Sequence, residues 1–464
     1  MSQTNAIQDH ASWAVPLAPQ GGPRFLQIAD ALEAALQDGR LQPGDRLPPQ
    51  RRLAALLQVD LTTVTRAYDE ARRRHLLEGR GARGTYVAAP KVELAPVLDL
   101  SMNTPPPPDG VDFDDLLLQG LKQVLMRADN ELLMTYHLGG GSVADREAGA
   151  AWIAPMFGRV DPAHIVVCPG AQAAIAALML ALTEPGDVIL AEPTSYPGLR
   201  AAATQFGRRV VAVAADADGM TPAALEEACR LHAPRLVYLN PTLQNPTAAT
   251  MPAARRQALA AMARRLDVRI IEDDPYWLLA AAPPAPIACA APRHVFYIAT
   301  LSKCLTPGLR IAFLLVPDAL ERARFLSALR AFALMAAPLT AALATQWIHD
   351  GSAARLLAGV RDEARLRHRM ARDVLAGRYE GAGDGLHVWL ELPAYWTPGR
   401  LARAASREGL AITPADAFAT GAQVPNAIRI SLGASRNRKR LQAGLQRLSQ
   451  LLARRPDAFS DPVV

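Results

Sequence analysis

From residue 113 onward, short apolar runs alternate with stretches rich in alanine and leucine, and this rhythm restricts the chain more than any other feature. The apolar runs lie near 164–168, 188–192, 210–213, 236–239, 268–272, 295–299 and 311–316. Each is too short to be a helix of ordinary length. Strands separated by helix-length segments pair in parallel, because the crossover helix carries the chain back to the same end of the sheet. The pattern therefore predicts an α/β domain built on a mostly parallel sheet. After Gly385 the rhythm loosens: apolar runs at 387–392 and 428–432, then Leu441, Leu445, Leu448 and Leu452 at helical spacing, predict a smaller α+β lobe. No internal repeat is present.

Composition narrows the class. A chain of 464 residues has room for two or three domains at about 150 residues each. Half of it is hydrophobic and a fifth charged, which excludes a disordered chain. The longest apolar runs fail as membrane spans, which need about 20 apolar residues. The run at 173–182 stops before Glu184-Pro185-Gly186, and the run at 331–345 contains Pro338. No charged-then-apolar leader opens the sequence, so no secretion signal is expected. Cys168, Cys229, Cys289 and Cys304 form no CxxC pair. That pattern argues against a disulfide framework and a cysteine-based zinc site, and fits a reducing cytoplasm with no metal in the site.

Residues 13–88 read as a separate small domain. Pro23 opens a helical pattern (Phe25, Ile28, Leu32, Ala35, Leu36) that Gly39 closes. Leu53, Leu56 and Leu57 mark a second helix, and residues 62–74 a third with Val64, Ala67, Tyr68 and Ala71 inside. A glycine-rich hairpin over 78–87 follows. Three helices and a hairpin make a winged helix-turn-helix. Between Arg51 and Tyr86 eight arginines face four acids, a local excess of four positive charges (8 − 4) suited to phosphates. A small helical dimerisation or scaffold domain with a solvated basic surface would share the spacing. Residues 89–112, with Pro90, Pro96 and Pro105-Pro106-Pro107-Pro108, read as a semi-rigid proline-rich linker.

Five segments of the larger domain, each following an expected strand, carry chemistry in a telling order. Gly170-Ala171-Gln172 opens a helix, where backbone amides suit a phosphate. Tyr196 follows the next strand. Asn240-Pro241-Thr242-Leu243-Gln244-Asn245-Pro246-Thr247 forms a tight loop, Asp273 and Tyr276 end the next strand, and Thr300-Leu301-Ser302-Lys303 with Arg310 follows the last. Taken singly, each is ordinarily structural: a cap, a packing tyrosine, a turn. Together they offer what a phosphorylated aldehyde cofactor needs: an amine, an acid for a ring nitrogen, donors for an oxygen, an aromatic face and a phosphate cup. Of the 50 Lys+Arg only Lys91, Lys122, Lys303 and Lys439 are lysines, leaving 46 arginines. Arginine cannot serve as that amine, because its guanidinium stays protonated.

Leu47-Pro48-Pro49-Gln50-Arg51-Arg52-Leu53-Ala54, Thr62-Thr63-Val64-Thr65-Arg66-Ala67-Tyr68 and Gly81-Ala82-Arg83-Gly84-Thr85-Tyr86-Val87 resemble the GntR-type winged-helix domain. The resemblance implies backbone contacts to DNA by Arg51, Thr62 and Thr63, a recognition helix carrying Arg66, and a wing carrying Arg80 and Arg83. Asp60-Leu61 stands where many relatives carry Ser-Arg. Ser302-Lys303-Cys304-Leu305-Thr306-Pro307-Gly308-Leu309-Arg310 and the Asn-Pro-x-x-Gln-Asn-Pro loop resemble the fold-type I, class I/II aminotransferases, which use pyridoxal 5′-phosphate (PLP). Carried over, Lys303 is the Schiff-base lysine, Asp273 faces the pyridine nitrogen, and Tyr276 and Asn245 face the phenolic oxygen. Tyr196 stacks on the ring, and Ala171, Gln172, Thr300, Ser302 and Arg310 hold the phosphate. Arg429 grips a substrate carboxylate, and Tyr136 reaches the neighbouring subunit's phosphate. Ala248, Ala312 and Asp145 depart from the glycine, glycine and leucine usual at their positions.

The order of winged helix, proline-rich linker and aminotransferase-like domain is similar to that of the MocR/GabR bacterial regulators. That resemblance implies a cytoplasmic, head-to-tail homodimer that binds double-stranded DNA and responds to PLP, an amino-compound effector, or both. The alternative is a working aminotransferase with an accessory DNA-binding domain.

Overall fold

The computed structural model describes residues 13–14, 17–18, 22–74, 76–79, 84–88, 97–127, 133–375, 378, 383–435 and 437–455. The chain divides into two units between Pro96 and Val97.

In the first unit, α1 (Arg24–Gln37) begins immediately after Pro23, and Gly39, at φ +78°, lies just past its end. The helix α2 (Gln50–Leu57) stops at Gln58, which takes a left-handed φ of 52°. The helix α3 (Leu61–Arg73) is capped by Asp60, whose carboxylate accepts the Thr63 N–H at 2.8 Å. The strands β1 (Leu77–Gly79) and β2 (Thr85–Val87) pair antiparallel, with Leu77 opposite Val87. Ile28, Leu32, Leu53, Val64, Ala67, Leu77 and Val87 share one core with Trp13. Tyr68 crosses that core and donates its hydroxyl to Pro48 O at 2.8 Å. This is the expected winged helix-turn-helix. The loop at 80–83, with Arg80 and Arg83, lies outside the described residues.

The second unit opens with β3 (Leu98–Asp99), followed by β4 (Ile165–Cys168), β5 (Val188–Ala191), β6 (Arg209–Ala212), and the short hairpin of β7 (Ala215–Asp216) and β8 (Gly219–Met220). Then come β9 (Leu236–Leu239), β10 (Arg269–Asp273), β11 (Val295–Thr300) and β12 (Ala312–Leu315). A seven-stranded sheet forms in the order β4-β12-β11-β10-β9-β5-β6. It is parallel except for β12, which runs against both neighbours. Neighbouring residues of one strand serve opposite faces: Ile270 packs into one core and Ile271 into the other. Both faces being covered explains why these strands read as continuous apolar runs. The smaller lobe carries β13 (His387–Glu391), β14 (Leu410–Ala411), β15 (Thr413–Pro414) and β16 (Ala427–Ser431), with β16 between β13 and β15.

The expected linker of residues 89–112 differs from the structure in its second half. Residues 97–112 belong to the larger unit: β3 pairs in parallel with β14, and Leu98 and Leu100 are buried in the small-lobe core. The apolar Leu98-x-Leu100 alternation outweighs the prolines after it. Two of the sequence departures have local reasons. Asp145 completes a capping box with Ser142 at the start of the helix Val143–Phe157 and accepts the Thr345 hydroxyl at 2.7 Å. Ala248 holds a left-handed φ of 59°, a geometry that glycine adopts without penalty. Among the described residues no helix is long and apolar enough to cross a membrane.

Candidate functional site

The strand ends of the large sheet bring the expected residues together. Lys303 sits in the one-turn helix Leu301–Cys304 directly after β11, where the Thr300 hydroxyl accepts the Ser302 N–H at 3.2 Å. Its Nζ donates to the backbone oxygen of Asn103 at 2.6 Å. Burial, aided by the cations Arg429 and Arg310 and opposed by Asp273, pushes the Lys303 amine down to about 8. Asp273 closes β10. Its Oδ2 accepts the Tyr238 hydroxyl at 2.6 Å, and its Oδ1 is buried with no hydrogen-bond partner. Burial raises this carboxyl to about 6, against the pull of Tyr238 and Lys303.

Asn240 ties the Asn-Pro loop to the end of β10. Its Nδ2 donates to Asp273 O at 2.6 Å, and its Oδ1 accepts the Asn245 N–H at 2.7 Å. Asn245 Oδ1 in turn accepts Arg429 Nη1 at 2.7 Å, so its amide nitrogen is turned to the other side. Arg429 lies in β16, over the Phe418 ring at 4.9 Å from its centroid, and its Nη2 donates to Ser101 O. Its Nε is buried without a partner. The Tyr276 hydroxyl accepts Asn103 Nδ2 at 2.8 Å, which leaves its own hydrogen for a ligand oxygen.

A cup forms beside this cluster. Gly170, at φ 88°, turns the chain from β4 into the helix Ala171–Leu182, whose first turn has no side-chain cap. The Arg310 guanidinium lies directly against Gly170: a Cβ there would be 2.8 Å from Arg310 Nη2. Ser302 Oγ and Gln172 Oε1 are buried and unpartnered. Gln172 Nε2 donates to Gly198 O at 2.9 Å, and the Tyr196 ring packs against the same glycine. Open helix amides, a cation and an unused hydroxyl make an anion site.

These unused polar atoms test whether PLP fits. A protonated ring nitrogen would satisfy Asp273 Oδ1, a phosphate the Ser302 hydroxyl and helix amides, and a carboxylate the Arg429 guanidinium. The residues present fit the group. Tyr136, by contrast, is 69% exposed and bonds to none of these side chains.

Sequence reasoning named Asn240 only as part of the Asn-Pro loop, without a role, and missed Tyr238, Phe418, Asn103 and His387. His387 Nε2 lies 3.1 Å from Gln244 O and so donates to it, which leaves Nδ1 to accept Asn103 Nδ2 at 2.9 Å. Burial and the Arg429 charge push His387 down to about 3, so the ring is neutral. The one available signal was period-two spacing, which sets Tyr238 and Asn240 on the same side of the β9 end.

On the first unit, Thr62 and Thr63 do not stand free. Both hydroxyls donate to Asp60, Thr63 at 2.7 Å, and those bonds hold the Asp60 carboxyl well below the usual carboxylate range. A hydroxyl has one hydrogen, so in this arrangement neither threonine has a proton to offer a phosphate. Arg66 stacks over Phe25 at 4.2 Å from the ring centroid. Arg51 is exposed at the start of α2. Arg72 and Arg73 pair with Asp69 and Glu70, already counted among the four acids, at 2.7 and 2.5 Å, whereas Arg74 pairs with Asp30 and Glu33 of α1 at 2.6 and 2.9 Å, so part of the basic excess is neutralised from outside the 51–86 stretch.

Comparison with known proteins agrees with both halves. Residues 95–448 match the family described as aminotransferase class I and II, and residues 25–87 match bacterial regulatory proteins of the gntR family. The chain belongs to the MocR/GabR family of bacterial regulators. It is 30% identical over 452 residues to YdeF of Bacillus subtilis (strain 168), an HTH-type transcriptional regulator, covering 95% of this chain and 97% of that one. It is 29% identical to PtsJ of Salmonella typhimurium, a vitamin B6 salvage pathway transcriptional repressor, over 80% of this chain and 85% of that one. Among solved structures, the α-aminoadipate aminotransferase LysN of Thermus thermophilus, complexed with N-(5′-phosphopyridoxyl)-L-leucine, superposes with a TM-score of 0.69 at 27% identity. That match covers 77% of this chain and 92% of LysN. The larger unit is thus a fold-type I aminotransferase-like domain, and PLP is its cofactor.

Proposed function

We propose that this protein is a PLP-dependent transcriptional regulator whose aminotransferase-like unit senses PLP, an amino compound, or both, through Lys303. The observation that carries the reading is the buried, unpartnered Asp273 Oδ1 in a chain that also folds a winged helix. When bound, PLP supplies an aldehyde for an amine and an electron-withdrawing ring. The protein does the rest. Lys303, pushed down to about 8, offers a neutral amine far more readily than an exposed lysine. Asp273 holds a proton at the ring nitrogen, with Tyr238 fixing the carboxylate. The Tyr276 hydroxyl and the Asn245 amide face the phenolic oxygen, and Tyr196 covers the ring. Ala171, Gln172, Thr300, Ser302 and Arg310 hold the phosphate. Arg429 takes a carboxylate as a bidentate pair, which favours amino acids over simple amines as effectors.

In the same reading the protein is a cytoplasmic head-to-tail homodimer. Tyr136, exposed within one chain, reaches the partner subunit's phosphate. Arg51, Arg66, Arg80 and Arg83 contact double-stranded DNA, and Thr62 and Thr63 do so once their hydroxyls leave Asp60. A ligand shifts the DNA-binding equilibrium only by its differential affinity for the two states.

The test is fluorescence anisotropy on DNA from upstream of this gene and its divergent neighbour, with apo protein and with PLP added. Sequence-specific binding that changes with PLP supports the regulator. A folded, PLP-bound dimer that binds no DNA specifically, and turns over an amino donor with a keto acid, is an aminotransferase instead.

A further inference from the structure

Two of the site's three cations, Lys303 and Arg429, reach for one short stretch of backbone. Lys303 Nζ donates to Asn103 O at 2.6 Å, and Arg429 Nη2 donates to Ser101 O, two residues earlier. The Asn103 side chain adds two bonds from its single amide nitrogen, to the Tyr276 hydroxyl at 2.8 Å and to His387 Nδ1 at 2.9 Å. Asn103 is 5% exposed. This stretch lies at the very start of the larger unit, which begins at Val97. In sequence it follows the eight residues 89–96 that join the winged helix to the rest of the chain.

The two ends of the stretch are anchored differently. Toward its start, Leu98 N–H and Leu100 N–H donate to Gly409 O and Ala411 O at 2.8 Å each, and Leu100 O accepts Ser431 N–H at 2.7 Å. All three partners belong to the small lobe. Asp99 Oδ1 accepts the N–H groups of Ser101 and Met102 at 2.7 and 3.3 Å. Toward its end, Asn103 meets His387 and Ser431 of the small lobe but also reaches Lys303 and Tyr276, at the strand ends of the large sheet. The stretch therefore bridges the small lobe and the large sheet through groups that a ligand would claim.

We propose that residues 101–103 form a strap that reports occupancy of the site to the DNA-binding unit, with Asn103 as its positioning residue. The proposal rests on the PLP-responsive regulator reading above. Two events loosen the strap. When Lys303 condenses with an aldehyde, its ammonium first gives a proton to solvent, its nitrogen then forms a C=N bond, and the carbonyl oxygen leaves as water. That nitrogen now carries at most one hydrogen in place of three, and its hold on Asn103 O is lost. When a ligand carboxylate docks on Arg429, it offers charged oxygens in place of the neutral Ser101 carbonyl. A carboxylate adds a second parallel bond and the attraction of opposite charges, neither of which a single neutral carbonyl offers, so the guanidinium turns to the ligand. Each event removes one hold on the same strap, Ser101 O keeping the Thr413 hydroxyl at 3.3 Å, and the strap continues directly into β3, the first strand of the larger unit after the winged helix.

The experiment uses the full-length protein, with PLP alone as the probe, and has two readouts. Hydrogen–deuterium exchange over residues 98–104 is expected to rise at least threefold on PLP saturation in wild type. The ratio of DNA affinities with and without PLP is expected to collapse below twofold in Asn103→Ala, each variant being saturated with PLP as judged by its visible absorbance. Asn103→Ser, too short to reach both Tyr276 and His387, is expected to give an intermediate ratio and serves if the alanine variant does not fold. Arg429→Gln is expected to raise exchange over 98–104 before any PLP is added, a change that a merely structural role for Asn103 does not foresee. Exchange that ignores PLP in wild type overturns the strap even if DNA binding responds. So do full PLP responses in both Asn103 variants. Exchange that responds while wild-type DNA binding ignores PLP overturns the regulator reading, and the transmission step with it.

Discussion

Gly170→Ala tests the phosphate cup directly. Gly170 holds φ 88° and ψ 163°, a region almost closed to residues with a side chain. Forcing alanine there costs about 1–3 kcal/mol of folding stability. The added Cβ would lie 2.8 Å from Arg310 Nη2 and 3.1 Å from Arg310 Cζ, so the guanidinium must move. The backbone strain is common to the apo and loaded protein and cancels from the affinity. What does not cancel is the aim of Arg310 at the phosphate. A hydrogen bond to a charged group contributes about 1.5–3 kcal/mol. With about 1.4 kcal/mol per tenfold, PLP affinity falls about tenfold to a hundredfold. Titrating PLP into the apo variant and following visible absorbance measures this, with a thermal melt to show that the fold survives. DNA binding by the apo protein should hold, because the change lies in the other unit. A folded Gly170→Ala protein that binds PLP within twofold of wild type would show that Arg310 and the helix amides do not hold the phosphate.

Three further outcomes are expected. Burial and Arg429 push Lys303 down to about 8, so condensation with PLP should climb about tenfold per pH unit below 8 and level off above about 9. An unperturbed lysine would go on climbing to about pH 10, and Arg429→Gln, by removing a cation, should move the midpoint upward. Tyr238→Phe removes the donor 2.6 Å from Asp273 Oδ2 and should weaken PLP binding at least tenfold, about 1.5 kcal/mol or more; an unchanged titration would rule that bond out of cofactor binding. Asp60→Asn keeps a capping side chain but removes a negative charge from the front of α3, and should strengthen binding to random-sequence DNA severalfold at low salt, the gain shrinking as salt rises. Weaker binding confined to the operator would instead mean that Asp60 touches a base.

How much of the molecule can be read from its sequence follows from how far apart the partners lie. Strands, helices and the winged helix depend on neighbours within a few residues, and their boundaries shift by only one or two positions. Lys303, Asp273, Asn245 and Arg310 sit inside local strings where the flanking residues carry the signal. Asn103 has no such string. It meets Tyr276 at a separation of 173 residues, Lys303 at 200 and His387 at 284, and the four prolines that follow it disguise its stretch as a spacer. Asp60 shows the converse. Its difference from the usual serine is plain in the sequence, but its consequence is not: a carboxylate that caps α3 and also takes both hydroxyls expected on the phosphates. A cap and a DNA contact draw on the same short side chains at a helix start, so the helix signal conceals the competition. The two features least legible from the sequence, Asn103 and the bound state of Thr62 and Thr63, therefore share one cause: each depends on a partner that its own flanking residues do not announce, Lys303 and Tyr276 far along the chain for Asn103, and a cap with a second use for the threonines.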